Sequence, residues 1–133
     1  ASDLLTVVAR INRLANQRVR LPLPFAQARL LSTIEAEGRA RISDLAALDH
    51  CSQPTMTTQV RRLEEAGLVS RTVDPDDARA VLISITPQGV ATLAQVRADR
   101  GNAIDPFLEE LDSSDRDTLA AAVEIMRGLL AAH

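Results

Sequence analysis

Between Ser52 and Pro87 the apolar spacing changes twice, and this double change limits what the chain can fold into. Met56, Val60 and Leu63 recur at i, i+4 and i+7, the stripe of a helix running from Gln53 to Ala66. Ser52 is a good N-cap, and Pro54 falls in the first turn, where its missing N–H costs nothing. Gly67 closes the helix as the residue just past its end. Leu68 and Val69 begin a strand that runs to about Val73, Asp74-Pro75-Asp76-Asp77-Ala78 has turn chemistry, and Ala80–Ile85 is a second strand rich in β-branched residues. Thr86 and Pro87 then read as the N-cap and first residue of a long helix.

The flanks extend this pattern. Leu4, Val7, Val8, Ile11, Leu14 and Ala15 recur at helical spacing, predicting a first helix from Ser2 to about Val19 that Leu21-Pro22-Leu23-Pro24 breaks. A second helix is expected from Phe25 to Glu37, with Ala28, Leu31 and Ile34 inward and Gly38 as its stop. Ile42 reads as a short extended residue and Ser43 as the cap of a short helix burying Leu45, Ala46 and Leu48. His50-Cys51 is a tight connection into the capped helix. Asp105-Pro106 is expected to restart or kink the long helix. Asp112-Ser113-Ser114-Asp115 starts a last helix with the stripe Leu119, Val123, Met126 and Leu130.

Helix, short helix, capped helix and two-stranded hairpin is the order of a winged helix-turn-helix, so the expected fold is mainly α with a small β-hairpin wing. In that arrangement the capped helix enters the major groove N-terminus first. At ~100° per residue its face opposite Met56, Val60 and Leu63 carries Pro54, Thr58, Arg61 and Glu65, flanked by Thr55 and Arg62 on one side and Thr57 on the other. Short hydroxyls can bond phosphate or base edges, and Arg61 and Arg62 can neutralise phosphate or fork onto guanine. Taken alone, the helix would fit an ordinary solvated polar face equally well; the short helix before it and the hairpin after it favour DNA.

Composition removes other classes. At 133 residues the chain is one domain's length and can bury a core without staples. A single cysteine, Cys51, rules out an intrachain disulfide, and with only His50 and His133 beside it zinc fingers lack ligands. No apolar run approaches ~20 residues and the first thirty positions lack a signal-peptide layout, so no membrane partner and a cytoplasmic location are expected. Phe25 and Phe107 are the only aromatics, which disfavours base-stacking platforms. No glycine-rich phosphate loop, metal cluster or nucleophile–base pair stands out, so neither enzymatic activity nor a cofactor is expected. The net charge of −3 is not that of a typical DNA binder. Residues 1–28, however, hold four arginines against one aspartate, while residues 97–133 hold four against eight acids, so a nucleic-acid surface must be local. All fifteen basic residues are arginine, for which the coding bias of a GC-rich genome suffices.

The residues resemble the MarR (multiple antibiotic resistance regulator) family of bacterial transcription factors over nearly the whole chain. The resemblance is densest in Ile42-Ser43-Asp44-Leu45-Ala46, Ser52-Gln53-Pro54-Thr55-Met56-Thr57 and Arg61-Arg62-Leu63-Glu64-Glu65-Ala66-Gly67-Leu68-Val69, with Arg71. It continues through Asp74-Pro75-Asp76-Asp77-Ala78-Arg79 into Ile83-Ser84-Ile85-Thr86-Pro87-Gln88-Gly89. The Leu-Glu-Glu-Ala-Gly-Leu-Val piece is common to many winged helices; the Asp-x-Arg wing tip followed by Ile-Thr-Pro-x-Gly is far more specific. The resemblance implies one domain over 1–133, with a DNA-binding module at 25–86 and a helical dimerisation region at 1–20 and 87–133. It implies a homodimer on a palindromic double-stranded operator, regulated by a small ligand or by oxidation. The DNA-binding residues are then Ser52, Gln53, Pro54, Thr55, Thr57, Thr58, Arg61, Arg62, Arg71, Asp77 and Arg79.

Within that set, an arginine on an exposed hairpin suits the narrow minor groove, and Asp77 can accept from the Arg79 guanidinium and fix its pose. Cys51 precedes a helix N-terminus, but redox-sensing members carry their cysteine near the first helix, and core packing is favoured here. His50 reads as a turn or phosphate-side residue. Arg10, Arg13, Arg18 and Arg29 are available to an anionic or aromatic effector, with no pocket assigned. The competing function is a winged helix that binds protein instead of DNA, which the acidic balance supports.

Overall fold

The computed structural model describes residues 1–133. The elements run α1 (Ser2–Arg18), α2 (Phe25–Glu37), β1 (Ala40–Arg41), α3 (Ile42–Leu48), α4 (Gln53–Glu65), β2 (Val69–Asp74), β3 (Asp77–Ile85), α5 (Pro87–Glu109) and α6 (Ser113–Ala131). They divide into two compact units, one of Val19–Asp99 and one of Ala1–Arg18 with Arg100–His133. No helix is long and apolar enough to cross a membrane.

The 19–99 unit holds the core. Leu30, Leu31 and Ile34 of α2, Leu45 and Ala46 of α3, Met56, Val60 and Leu63 of α4, Val69 and Ile83 of the sheet and Leu93 of α5 are buried in one cluster. Each large aliphatic side chain removed from water stabilises the fold by roughly 1.5–3 kcal/mol, so this cluster dominates the unit's stability. Cys51 packs half-buried against it.

Local chemistry sets the ends of α4. Ser52 Oγ accepts the Thr55 N–H at 3.2 Å. At the other end Gly67 (φ 76°) gives its N–H to the Glu64 carbonyl and Leu68 gives its N–H to the Leu63 carbonyl. These are the two bonds of a Schellman turn, sealed here by buried Leu63 and Leu68. The same device ends α3, where Cys51 N–H reaches the Ala46 carbonyl and His50 takes the left-handed conformation at φ 52°.

The sheet has three strands in the order β1-β3-β2, all antiparallel. The sequence pattern predicted only the hairpin. Ala40 and Arg41 pair with Ile83 and Leu82, so the extended residues lie one step before Ile42, which itself begins α3. Arg41, not Ser43, is therefore the N-cap, and no side chain caps that end. Leu48, the last residue of α3, is exposed and not buried, because the buried core cluster is filled from α3 by Leu45 and Ala46 alone. The turn is tighter than expected: Asp74 pairs directly with Asp77 across a bulge, so Asp77 and Ala78 are strand residues. Pro106 does not restart the helix, because α5 is continuous to Glu109. The carbonyl that loses its partner, four residues back, belongs to exposed Asn102 and can bond water.

In the other unit, α1 and α6 carry long apolar stripes with almost nothing over them. Leu5 is 70% exposed and Leu130 80%, and Leu4, Val7, Val8, Ile11, Leu119 and Val123 are also exposed; α6 has no buried residue. Ala15 is buried, Arg100 Nη2 donates to Asn12 Oδ1 at 2.8 Å, and the Arg18 guanidinium lies 4.9 Å from the centre of the Phe107 ring. An open groove of about 400 Å³ runs along α1, lined by Val7, Arg10, Ile11, Arg13, Leu14 and Gln17.

Candidate nucleic-acid interface

All eleven residues singled out in the sequence lie in the 19–99 unit. Burying Met56, Val60 and Leu63 turns the opposite face of α4 to solvent, which exposes Ser52, Gln53, Pro54, Thr55, Thr58, Arg61 and Arg62 and leaves Thr57 half-exposed. The hydroxyls are locally engaged. Ser52 Oγ donates to Thr55 Oγ1 at 2.9 Å, Thr57 Oγ1 donates to the Gln53 carbonyl at 2.9 Å, and Thr58 Oγ1 donates to the Pro54 carbonyl at 3.1 Å. Thr57 and Thr58 keep free lone pairs in this state and donate outward only after rotating, whereas Thr55, which accepts from Ser52, keeps its own O–H free. Arg61 and Arg62 take part in none of the five ion pairs, so both guanidinium groups are available.

On the wing, Arg79 stands open to solvent, with its side chain 98% exposed. Asp77 works on the backbone more than on the guanidinium. Its Oδ1 accepts the Arg79 N–H at 3.0 Å, whereas Arg79 Nε is 3.9 Å away. Asp77 thus shapes the strand entry, and the guanidinium stays free. Arg71 is not free: its Nε donates to Glu64 Oε2 at 2.6 Å, tying β2 to the last turn of α4.

Sequence reasoning missed a second tie. Arg41 donates from Nε (3.0 Å) and Nη2 (2.6 Å) to Asp74 Oδ2, while Asp74 Oδ1 accepts the Asp76 N–H at 2.9 Å. Asp74 is the one buried charged residue of the chain, 7% exposed. The Asp76 N–H first, and then the Arg41 guanidinium, hold its carboxyl below the usual carboxylate range; the same hydrogen bond raises Arg41. The sequence places Asp74 in a turn, but no periodic signal connects it to Arg41, 33 positions away.

The Thr86-Pro87-Gln88-Gly89 corner also has a physical basis. Thr86 Oγ1 donates to the Gly67 carbonyl at 2.7 Å and accepts the Gly89 N–H at 3.0 Å, and the Thr86 N–H reaches the Leu68 carbonyl at 3.0 Å. One residue therefore caps α5 and fastens it to the end of α4. No group of His, Cys, Asp and Glu residues is arranged to hold a metal ion.

A capped helix exposing hydroxyls and arginines, preceded by a short helix and followed by an arginine-tipped hairpin, defines a winged helix-turn-helix protein. The chain belongs to the MarR family: the family's profile matches residues 23–81. An uncharacterised HTH-type transcriptional regulator of Mycobacterium bovis is 31% identical over 131 residues, covering 98% of this chain and 92% of the relative. The crystal structure of a transcriptional regulator from Thermotoga maritima superposes with a TM-score of 0.78 at 26% identity, over 98% of this chain and 92% of that one. A mutant MarR from E. coli, crystallised with operator DNA, gives a TM-score of 0.64 at 23% identity, over 92% and 89% of the two chains.

Proposed function

We propose that this protein regulates transcription by binding an inverted-repeat operator in duplex DNA as a homodimer, as a repressor that responds to a small anionic or aromatic effector. It acts by binding, without enzymatic chemistry, in the cytoplasm. The observation that carries the reading is the pairing, within one compact unit, of an outward α4 face holding unpartnered Arg61 and Arg62 with a wing holding Arg79 fully open. Thr55, Thr58 and Arg61 are the candidate base readers, and Ser52, Gln53, Pro54, Thr57 and Arg62 flank them toward the phosphates. Arg79 enters the minor groove, where negative potential and width are read. Arg71 and Asp77 support the wing through contacts within the chain, to Glu64 and to the Arg79 backbone N–H.

The dimer rests on the apolar stripes of α1 and α6. A surface this apolar on the terminal helices calls for a cover, and a second copy satisfies it symmetrically. The relative crystallised with operator DNA supports the choice of ligand. In the effector role, Arg10 and Arg13, which border the α1 groove, are the cations placed beside apolar surface.

Selection of bound duplexes from a random DNA pool tests the reading. The expected product is an inverted repeat with half-sites ~10 bp apart centre to centre, bound by a protein that sediments as a dimer at micromolar concentration. An asymmetric consensus, or a monomer, contradicts it.

A further inference from the structure

The wing is a lever with a short fulcrum. β1 covers β3 only at Ile83 and Leu82. From Val81 out to Asp77, β3 has β2 as its sole neighbour, and Arg79 lies on that free stretch. A two-stranded ribbon without further support is marginally ordered and twists readily. One side chain crosses from the body to the free end. Arg41 sits opposite Leu82, which itself sits opposite Thr72, so the three form a row across the sheet. From the end of that row the Arg41 fork reaches Asp74, at the start of the turn.

The two oxygens of Asp74 have separate tasks. Oδ1 holds the turn through the Asp76 N–H, and Oδ2 takes both Arg41 donors. The residue after Arg41 opens α3, the first helix of the helix-turn-helix. A single carboxylate therefore connects the conformation of the turn to the helical pair that holds α4.

We propose that Arg41 is a positioning residue for the DNA-contacting wing, acting through Asp74 to hold Arg79 at a set angle to the helix-turn-helix. The proposal rests on the reading of the wing as a DNA contact. Ordering the lever before binding removes a cost that would otherwise fall on association. Arginine suits the position because its planar fork delivers two donors to one oxygen, which an ammonium on a flexible stem does not reproduce.

The test is a double-mutant cycle on the full-length protein and its selected duplex, combining Arg41→Ala with Arg79→Ala, with Asp74→Ala and Arg41→Lys alongside. Binding is measured over a salt series and melting temperature is recorded for each variant. Arg41→Ala and Asp74→Ala are each expected to weaken binding about tenfold, and Arg41→Ala to have no further effect once Arg79 is alanine. Arg41→Lys should recover only part of the loss. Equal losses in both Arg79 backgrounds overturn the proposal, whether they come with a lowered melting temperature or with a log–log salt slope shallower by about 0.9, the sign of a direct phosphate contact. Full recovery by lysine, or parental affinity for Arg41→Ala, overturns it as well. If Arg79→Ala weakens binding but Arg41→Ala does not, positioning alone is wrong. If Arg79→Ala binds as the parent does, the wing is not a DNA contact and both ideas fall.

Discussion

Asp74 is a nearly buried carboxylate that touches both the turn and the body, and its ionisation is linked to stability. Its carboxyl is held below its ordinary value of 3.8, first by the Asp76 N–H and then by Arg41. A group depressed on folding stabilises the native state above its unfolded pKa. That contribution is lost as pH falls through the ordinary value toward the lower folded one. Asp74→Asn should therefore destabilise the protein at neutral pH, with the difference from the parent shrinking as pH drops below about 4. Chemical denaturation at pH 7 and at about pH 3 measures this, and a difference independent of pH would show that the carboxylate charge is not what holds the turn. Residues such as Ser52 and Gly67 were legible in the sequence because their roles depend on neighbours three to five positions away. Arg41, Asp74 and Glu64 were not read as partners because pairs 33 and 7 residues apart in sequence leave no period to find.

Among the elements, the α5 entry is the most tightly constrained. A Cβ at Gly89 would overlap the Leu68 carbonyl oxygen and crowd Ile85 Cγ1. The obstruction is backbone, already fixed by the Schellman turn and by Thr86, so it cannot give way cheaply. Gly89→Ala is expected to cost about 3 kcal/mol and to lower Tm by about 10 °C. An unchanged Tm would show that the corner repacks freely. The glycine of the Thr-Pro-x-Gly pattern was visible in sequence, but the reason for it lies in what packs above it. The same distinction explains the elements that were misread. A two-residue strand such as β1 carries no alternation to detect, the N-terminus of a seven-residue helix admits two starts, and Pro106 ends a helix only where its lost bond cannot be replaced by water. The long periodic helices and the β-branched hairpin, by contrast, were legible in outline.

At the scale of the molecule, the stripes on α1 and α6 were visible in the sequence as more apolar surface than the winged module can cover, although an apolar period does not say what covers it. The structure leaves them open on a single chain, and this is the surface that the proposed symmetric dimer would cover. The proposed dimer would present two copies of Arg61, Arg62 and Arg79 to one duplex, and so local positive charge despite a formal charge of −3 per chain. Counterion release makes this measurable. If each of those arginines neutralises about one phosphate, log affinity should fall with log salt at a slope of about −5. Titrating salt against the selected duplex and a scrambled one tests the central claim most directly. The expected result is a steep slope on both, with the selected site bound at least ~10³-fold more tightly at physiological salt. Flat binding, or equal affinity for the two duplexes, would contradict DNA recognition and favour a winged helix that binds protein.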